Sequence, residues 1–253
     1  DTLKRIDFLK DKKIHFMGMG VSGGEQGART GPSIMPGGDM EAWAEVKPIL
    51  EAVAAKVNNE PCVAYMGKNA AGHYVKMVHN GIEYAEMQLI CEVYDLLRNA
   101  LHHTPNEIAV LFEQWNKTEL SSYLLEITVD ILRKKENGGW LLDEIVDAAF
   151  SKGTGSRAVN TAAELGVPAG MLTAALFSRY ISARQNKRTK ASSLFASEHK
   201  LAKPLSISSI QNAYQLARII NHHQGFELIK AAAEKNNWQI NFCEIAYCGR
   251  YTY

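Results

Sequence analysis

The run Gly72-His-Tyr-Val-Lys76-Met-Val-His79-Asn80-Gly-Ile-Glu83-Tyr84 gathers an amine, an imidazole, an amide, a carboxylic acid and a phenol. It reads as the start of a helix. At 100° and 1.5 Å per residue, helical positions seven apart fall within ~20° of each other and ~10 Å apart along the axis. Lys76, Asn80 and Glu83 therefore share one stripe, with His79 and Tyr84 at its edges. That length suits a small carbon-chain substrate. Val75, Val78, Ile82 and Leu89 flank the stripe and call for burial. A polar stripe on a core-like helix is how a buried acid/base site looks in sequence. A solvated face of paired charges has the same letters. The apolar flanks favour the site.

Three further groups could handle an anion. Gly20-Val-Ser22-Gly23-Gly24 follows an apolar run, so its amides can approach a ligand without Cβ obstruction. Gly18, Gly20 and Gly23 fit G-x-G-x-x-G in letters, but no βαβ unit with an acidic residue ~20 positions on accompanies them. The alternative is a tight strand-to-helix turn. Ser151-Lys152-Gly153-Thr154-Gly155-Ser156 precedes a helix and offers amides, an ammonium and a hydroxyl to a phosphate; its spacing is not that of a Walker loop, and a glycine-rich cap is the competing reading. Arg179 lies in the apolar segment Leu176-Phe-Ser-Arg-Tyr-Ile and needs a partner there. An internal salt bridge would serve, and so would a substrate oxyanion held bidentately.

The elements that must position these groups divide the chain. Residues 1–70 read as α/β: a strand over Lys13–Met19, a glycine turn from Gly18 to Gly27, a loop over Ser33–Gly38, a helix over Met40–Lys56 interrupted near Pro48, and a strand over Pro61–Gly67. From Gly72 on the pattern is helical. Helices are expected over Gly72–Asn99, from the capping box Thr104-Pro-Asn-Glu107 to Trp115, and over Leu120–Lys135, Leu141–Phe150, Ser156–Leu165, Met171–Asn186, Ser208–His223 and Phe226–Asn236. The basic run Lys187–Lys190 reads as a solvated loop, and Trp238–Ile245 as the start of another buried element. The fold class is mainly α, a large all-helical domain (71–253) preceded by the C-terminal remnant of an α/β Rossmann-type domain (1–70).

Composition narrows the function. The 253 residues carry a net charge of +1, which gives no basic footprint for nucleic acid and no polybasic membrane anchor. No apolar run reaches the length of a membrane span. The first residue is Asp1, which suggests a chain that is cut or a portion of a longer protein. Cys62, Cys91, Cys243 and Cys248 form no CxxC pair and have no His at ligand spacing, so no metal is expected, and free thiols fit a cytoplasmic protein.

The sequence resembles the middle of the decarboxylating 6-phosphogluconate dehydrogenases. The matching motifs are GVSGGE (20–25), SIMPGG (33–38), GHYVKMVHNGIEY (72–84), MQLICE (87–92) and KGTG (152–155), in the family's order and at about its spacings. The resemblance runs from residue 1 to about 246 and then breaks at Tyr247. Ala70 stands where a related G-x-G-x-x-x-K pattern has glycine.

The resemblance implies oxidative decarboxylation of 6-phospho-D-gluconate to D-ribulose 5-phosphate and CO₂, with NADP as hydride acceptor. It implies Lys76 as general base and later acid, and Glu83 as the acid that protonates carbon after CO₂ leaves. Ser22, Gly23, Gly24, His79 and Asn80 would hold the carboxylate and hydroxyls. Tyr84, Lys152, Thr154 and Arg179 would hold the phosphate. Glu25 is the one cofactor contact expected here, because the nucleotide fingerprint lies outside the chain. The family's C-terminal tail, which reaches into a partner's active site, is also outside it. A homodimer is implied. Another β-hydroxyacid dehydrogenase is the first competing function, and a non-catalytic fragment that binds sugar phosphate or only dimerises is the second. The unmatched strands of residues 1–70 lead us to expect an isolated chain that aggregates or needs a dimer, and that binds NADP weakly or not at all.

Overall fold

Gly18-Met-Gly-Val-Ser22 alternates buried and exposed positions, and in the computed structural model it is a strand, β1 (Gly18–Ser22). The structure describes residues 1–151, 153–195 and 205–249. β1 pairs antiparallel with β2 (Ser33–Gly37), register Gly18 to Gly37 and Ser22 to Ser33. Both findings correct the sequence reading. The expected strand over 13–19 is moved along the chain, since Lys13 takes a left-handed φ of 55° that breaks an extended run. The expected SIMPGG loop is a fully buried strand.

The described residues group into two units. One comprises Asp1–Gly81, Arg157–Pro168 and the stretch from Gly225 on; the other comprises Ile82–Ser156 and Ala169–Gln224. In the first unit α1 (Thr2–Lys10) is exposed and buries no residue. α2 (Gly24–Thr30) joins β1 to β2. α3 (Met40–Val53) starts at Asp39, whose side chain accepts from the Glu41 N–H, and it carries Pro48 without ending there. β3 (Lys56–Val57) and β4 (Glu60–Pro61) form a small hairpin. The strand expected over Pro61–Gly67 is shortened to this pair. Beyond it the chain still runs beside β2, with Ile34 N donating to Cys62 O and Met66 N to Pro36 O.

The long helix α4 (Ala71–Asp95) begins in the first unit and continues into the second, where Leu96–Ala100 widens into a π-turn. Its entry is set by glycine. A Cβ on Gly72 would lie 2.3 Å from Met35 O and 2.5 Å from Gly18 O; one on Gly20 would lie 2.2 Å from Lys76 Cβ. The β1–β2 hairpin thus rests directly on the first turns of α4, backbone against backbone.

In the second unit α5 (Pro105–Trp115) has the expected Thr104–Glu107 capping box. α6 (Tyr123–Arg133) starts from Ser122, and β5 (Lys135–Glu136) and β6 (Gly139–Trp140) turn through Asn137 and Gly138, both at positive φ. α7 (Leu141–Glu144) follows, then α8 (Thr154–Leu165), which belongs to the first unit from Arg157 on, and, again in the second, α9 (Gly170–Ser182) and α10 (Gln185–Leu194). The basic run 187–190 is helical and lies in α10, not in a loop. Leu97, Ile108, Phe112, Leu125, Leu132 and Tyr214 centre the core of this unit.

The two helices expected over 208–236 are one, α11 (Ile207–Asn236). Gly225 costs it about 1 kcal/mol relative to alanine, and burial of Leu228, Ile229 and Ala232 beyond it offsets that. In the first unit α12 (Phe242–Gly249) closes on β2, where Ser33 Oγ donates to Cys248 O at 2.7 Å.

Gly72→Ala is expected to lower the unfolding free energy by about 1–3 kcal/mol through overpacking. Gly170→Ala is the control, because its methyl would meet nothing within 4 Å and it should cost nothing or stabilise by about 0.4–1 kcal/mol. Urea titration of both variants decides; equal midpoints would mean that the hairpin does not rest on that turn.

Candidate active site

α4 carries the stripe that the sequence predicts. In the first unit Lys76 is half-buried, and its Nζ donates to Ser22 Oγ at 2.8 Å and lies 3.1 Å from His79 Nδ1. Ser22 and His79 are 6% and 3% exposed. Gly20 makes this possible: a side chain there would occupy the space of the Lys76 stem. An amine, a hydroxyl and an imidazole thus form a contiguous group inside the protein. Such a group can move a proton at a substrate hydroxyl and hold an anionic oxygen beside it. Gly23 and Gly24 follow at φ 135° and 59°, conformations suited to glycine, and start α2. Asn80 lies half-buried one turn beyond Lys76.

In the second unit the later part of α4 presents Glu83 and Tyr84, both half-buried. The Arg179 guanidinium stacks on the Tyr84 ring, 3.7 Å from its centroid. Its Nη1 donates to Phe150 O at 3.1 Å and its Nη2 to Met87 Sδ at 3.5 Å. Among the described residues its partners are this ring, a carbonyl and a thioether, and no carboxylate pairs with it. Gly155 sits against the same ring, since a Cβ there would lie 2.9 Å from Tyr84 Cδ2 and Cε2. Thr154 precedes it at the start of α8. A guanidinium held by an aromatic face and a carbonyl keeps donors for a phosphate. Lys152 lies outside the described residues.

Glu25 is largely exposed and pairs with Arg29 at 2.9 Å, one turn along α2. The glycine run 18–23 does not fit a dinucleotide pyrophosphate: positions 18 and 20 lie in a strand, and His73 and Lys76 fill the space their side chains would take. Those glycines serve packing.

Sequence reasoning missed the ring seat at Gly155, and Met87 and Phe150 as partners of Arg179. It also missed Glu86, which is fully buried and accepts from Tyr214 Oη at 2.5 Å. Burial, and then the Glu86 charge, push the Tyr214 phenol above its ordinary range. A Glu between Ala85 and Ile90 on the apolar side of α4 was the available signal. Among the described residues no three metal-ligating side chains cluster.

Residues 1–67 match the NAD binding domain of 6-phosphogluconate dehydrogenase, and residues 72–250 match its C-terminal domain. The match therefore extends four residues past Ala246, where the sequence reading ended it. The NADP(+)-dependent, decarboxylating 6-phosphogluconate dehydrogenase of Bacillus subtilis is 49% identical over 97% of this chain and 54% of its own length. The Escherichia coli enzyme is 47% identical over 97% of this chain and 54% of its own length. The solved 6-phosphogluconate dehydrogenase of Plasmodium falciparum superposes with a TM-score of 0.93 at 43% identity, over 98% of this chain and 55% of that one. The chain spans about half the length of the curated relatives it matches. With two family models laid end to end along it, the chain belongs to the 6-phosphogluconate dehydrogenase family.

Proposed function

We propose that this chain is the central portion of an enzyme that converts 6-phospho-D-gluconate to D-ribulose 5-phosphate and CO₂ with reduction of NADP. Residues 1–70 would be the C-terminal part of its NADP-binding domain and residues 71–253 part of its helical domain. The observation that carries the reading is Arg179 stacked on Tyr84 without a carboxylate partner among the described residues. A non-phosphorylated hydroxyacid would leave that cation unanswered, which disfavours the other β-hydroxyacid dehydrogenases.

NADP, when bound, supplies the hydride acceptor. Lys76, as the neutral amine, takes the proton of the hydroxyl β to the carboxylate. Oxidation there gives a β-keto acid. Its carboxylate leaves as CO₂, and the bonding pair moves toward the carbonyl, whose oxygen regains a proton from Lys76. Glu83 then protonates the carbon that lost CO₂, Lys76 takes the enediol hydroxyl proton back, and the ketone forms. Ser22, Gly23, Gly24, His79 and Asn80 orient the carboxylate and hydroxyls. Tyr84, Lys152, Thr154 and Arg179 hold the phosphate. The exposed Leu216 and Ile219 on α11, and Phe177 and Ile181 on α9, support a homodimer. The free cysteines support a cytoplasmic location. Among the described residues no helix is long and apolar enough to cross a membrane.

In a catalytically complete protein carrying this segment, Lys76→Met is expected to lower kcat by roughly 10²–10⁴ with 6-phosphogluconate binding largely retained. The NADPH absorbance assay, paired with calorimetric binding, checks it, and near-normal turnover would sink the assignment. Arg179→Ala should weaken 6-phosphogluconate by about ten- to hundredfold, or ~1.5–3 kcal/mol, and gluconate far less. Equal losses for both ligands would return Arg179 to a structural role. Sedimentation of the chain should show a dimer, and a well-behaved monomer would remove that part of the proposal.

A further inference from the structure

Within the second unit, α11 touches both helices that carry the phosphate-facing groups. Asn221 is fully buried and donates through Nδ2 to Ile82 O at 3.0 Å, the carbonyl just before Glu83 and Tyr84 on α4. The opposite amide orientation would set two oxygens against each other, so the donor assignment follows from chemistry. One turn on, Gln224 Oε1 accepts from Met171 N at 2.9 Å. That amide is in the first turn of α9, whose N-cap position, Ala169, supplies no side-chain bond. α9 bears Arg179.

The same face of α11 is committed further to α4. Arg218 Nε lies 2.9 Å from Glu86 Oε1, although off the N–H axis, and Arg218 Nη1 donates to Leu120 O at 2.6 Å. Glu86 Oε2 and Asn221 Oδ1 are buried without a hydrogen-bond partner among the described residues. Unpaired buried oxygens are costly, so apolar residues would hold these helices together with less loss. Polar groups differ in that they fix register: a carbonyl or an amide is met at one position along the helix and nowhere else.

We propose that Asn221 and Gln224 are positioning residues for the phosphate end of the site. Asn221 fixes the turn of α4 that bears Tyr84, and Gln224 fixes the start of α9. Together they set the 3.7 Å separation of Arg179 from the Tyr84 ring. The inference rests on the phosphate reading of Tyr84 and Arg179.

The test compares Gln224→Met, which keeps the length of the side chain and loses the acceptor, with Gln224→Glu, which keeps it. Calorimetry with 6-phosphogluconate and with gluconate is run on each variant. Gln224→Met should bind 6-phosphogluconate about tenfold more weakly, with gluconate unchanged, and Gln224→Glu should restore affinity to within roughly twofold. Asn221→Leu should show the same selective loss, and Gln224→Met, which leaves the buried Glu86 network intact, decides if that variant does not fold. Unchanged affinity in Gln224→Met, or an equal loss for both ligands, would overturn the proposal. A wild-type chain that does not prefer 6-phosphogluconate to gluconate would defeat the phosphate reading instead. In that event crystals of Gln224→Met decide: an unmoved Arg179–Tyr84 stack overturns the positioning role, and a separated stack upholds it.

Discussion

The proximity of two backbones at the entry to α4 is the constraint on which the contact of Lys76 with Ser22 depends. Gly72 meets Met35 O and Gly18 O at distances no Cβ tolerates, and Gly37 meets the Gly72 amide in the same way. Only this approach lets Ser22, at the end of β1, reach Lys76 at 2.8 Å. Side-chain packing would have separated hairpin and helix by several ångströms, and the lysine would have lost its hydroxyl partner. Because the contact is between main chains, it leaves few side-chain rotamers to adjust. The relative placement of amine and hydroxyl follows from the fold and not from the flexibility of a lysine stem.

The pair on the later part of the site, Tyr84 and Arg179, is held by a different physics. Tyr84 and Arg179 meet through a cation–π contact, flanked by a main-chain carbonyl and a thioether. Such contacts are softer than a bidentate carboxylate pair and desolvate the guanidinium only in part. An ion pair would have been stronger, but it would have occupied the donors that the proposed phosphate contact needs. A planar aromatic face holds the cation's plane and leaves its edge free. Gly155 belongs to the same logic, since any side chain there would push the ring.

Much of this was legible in the sequence, and the failures have physical causes. The stripe Lys76–Asn80–Glu83 and the Thr104 capping box were readable because each depends on spacing within one helix. The glycines between 18 and 37 were read as turns, the commonest use of glycine. Gly18, Gly20 and Gly37 lie instead in strands on which α4 packs, and nothing within that segment announces a helix distant in sequence. Gln224-Gly225 was read as a break between helices, since propensity counts the cost of glycine and does not see the packing that overrides it. The partners of Arg179 were invisible for the same reason: Met87 and Phe150 carry no charge that would mark them. Glu86 shows the converse case, a charge whose burial was signalled by its apolar neighbours but whose partners, Tyr214 and Arg218, lie far along the chain.

Helix α4 joins the two strategies, and that bears on which substrates it suits. On the proposed reading Lys76 and Glu83 serve neighbouring atoms of the substrate, and Tyr84 and Arg179 serve its far end. Anchoring needs opposed grips of unlike character. A main-chain-defined group fits the end where bonds change, because reaction geometry tolerates little displacement. A stacked cation fits the end that only binds, because a phosphate's spherical charge tolerates some. On the proposed reading the division of labour follows from the demands at each end of one extended anion.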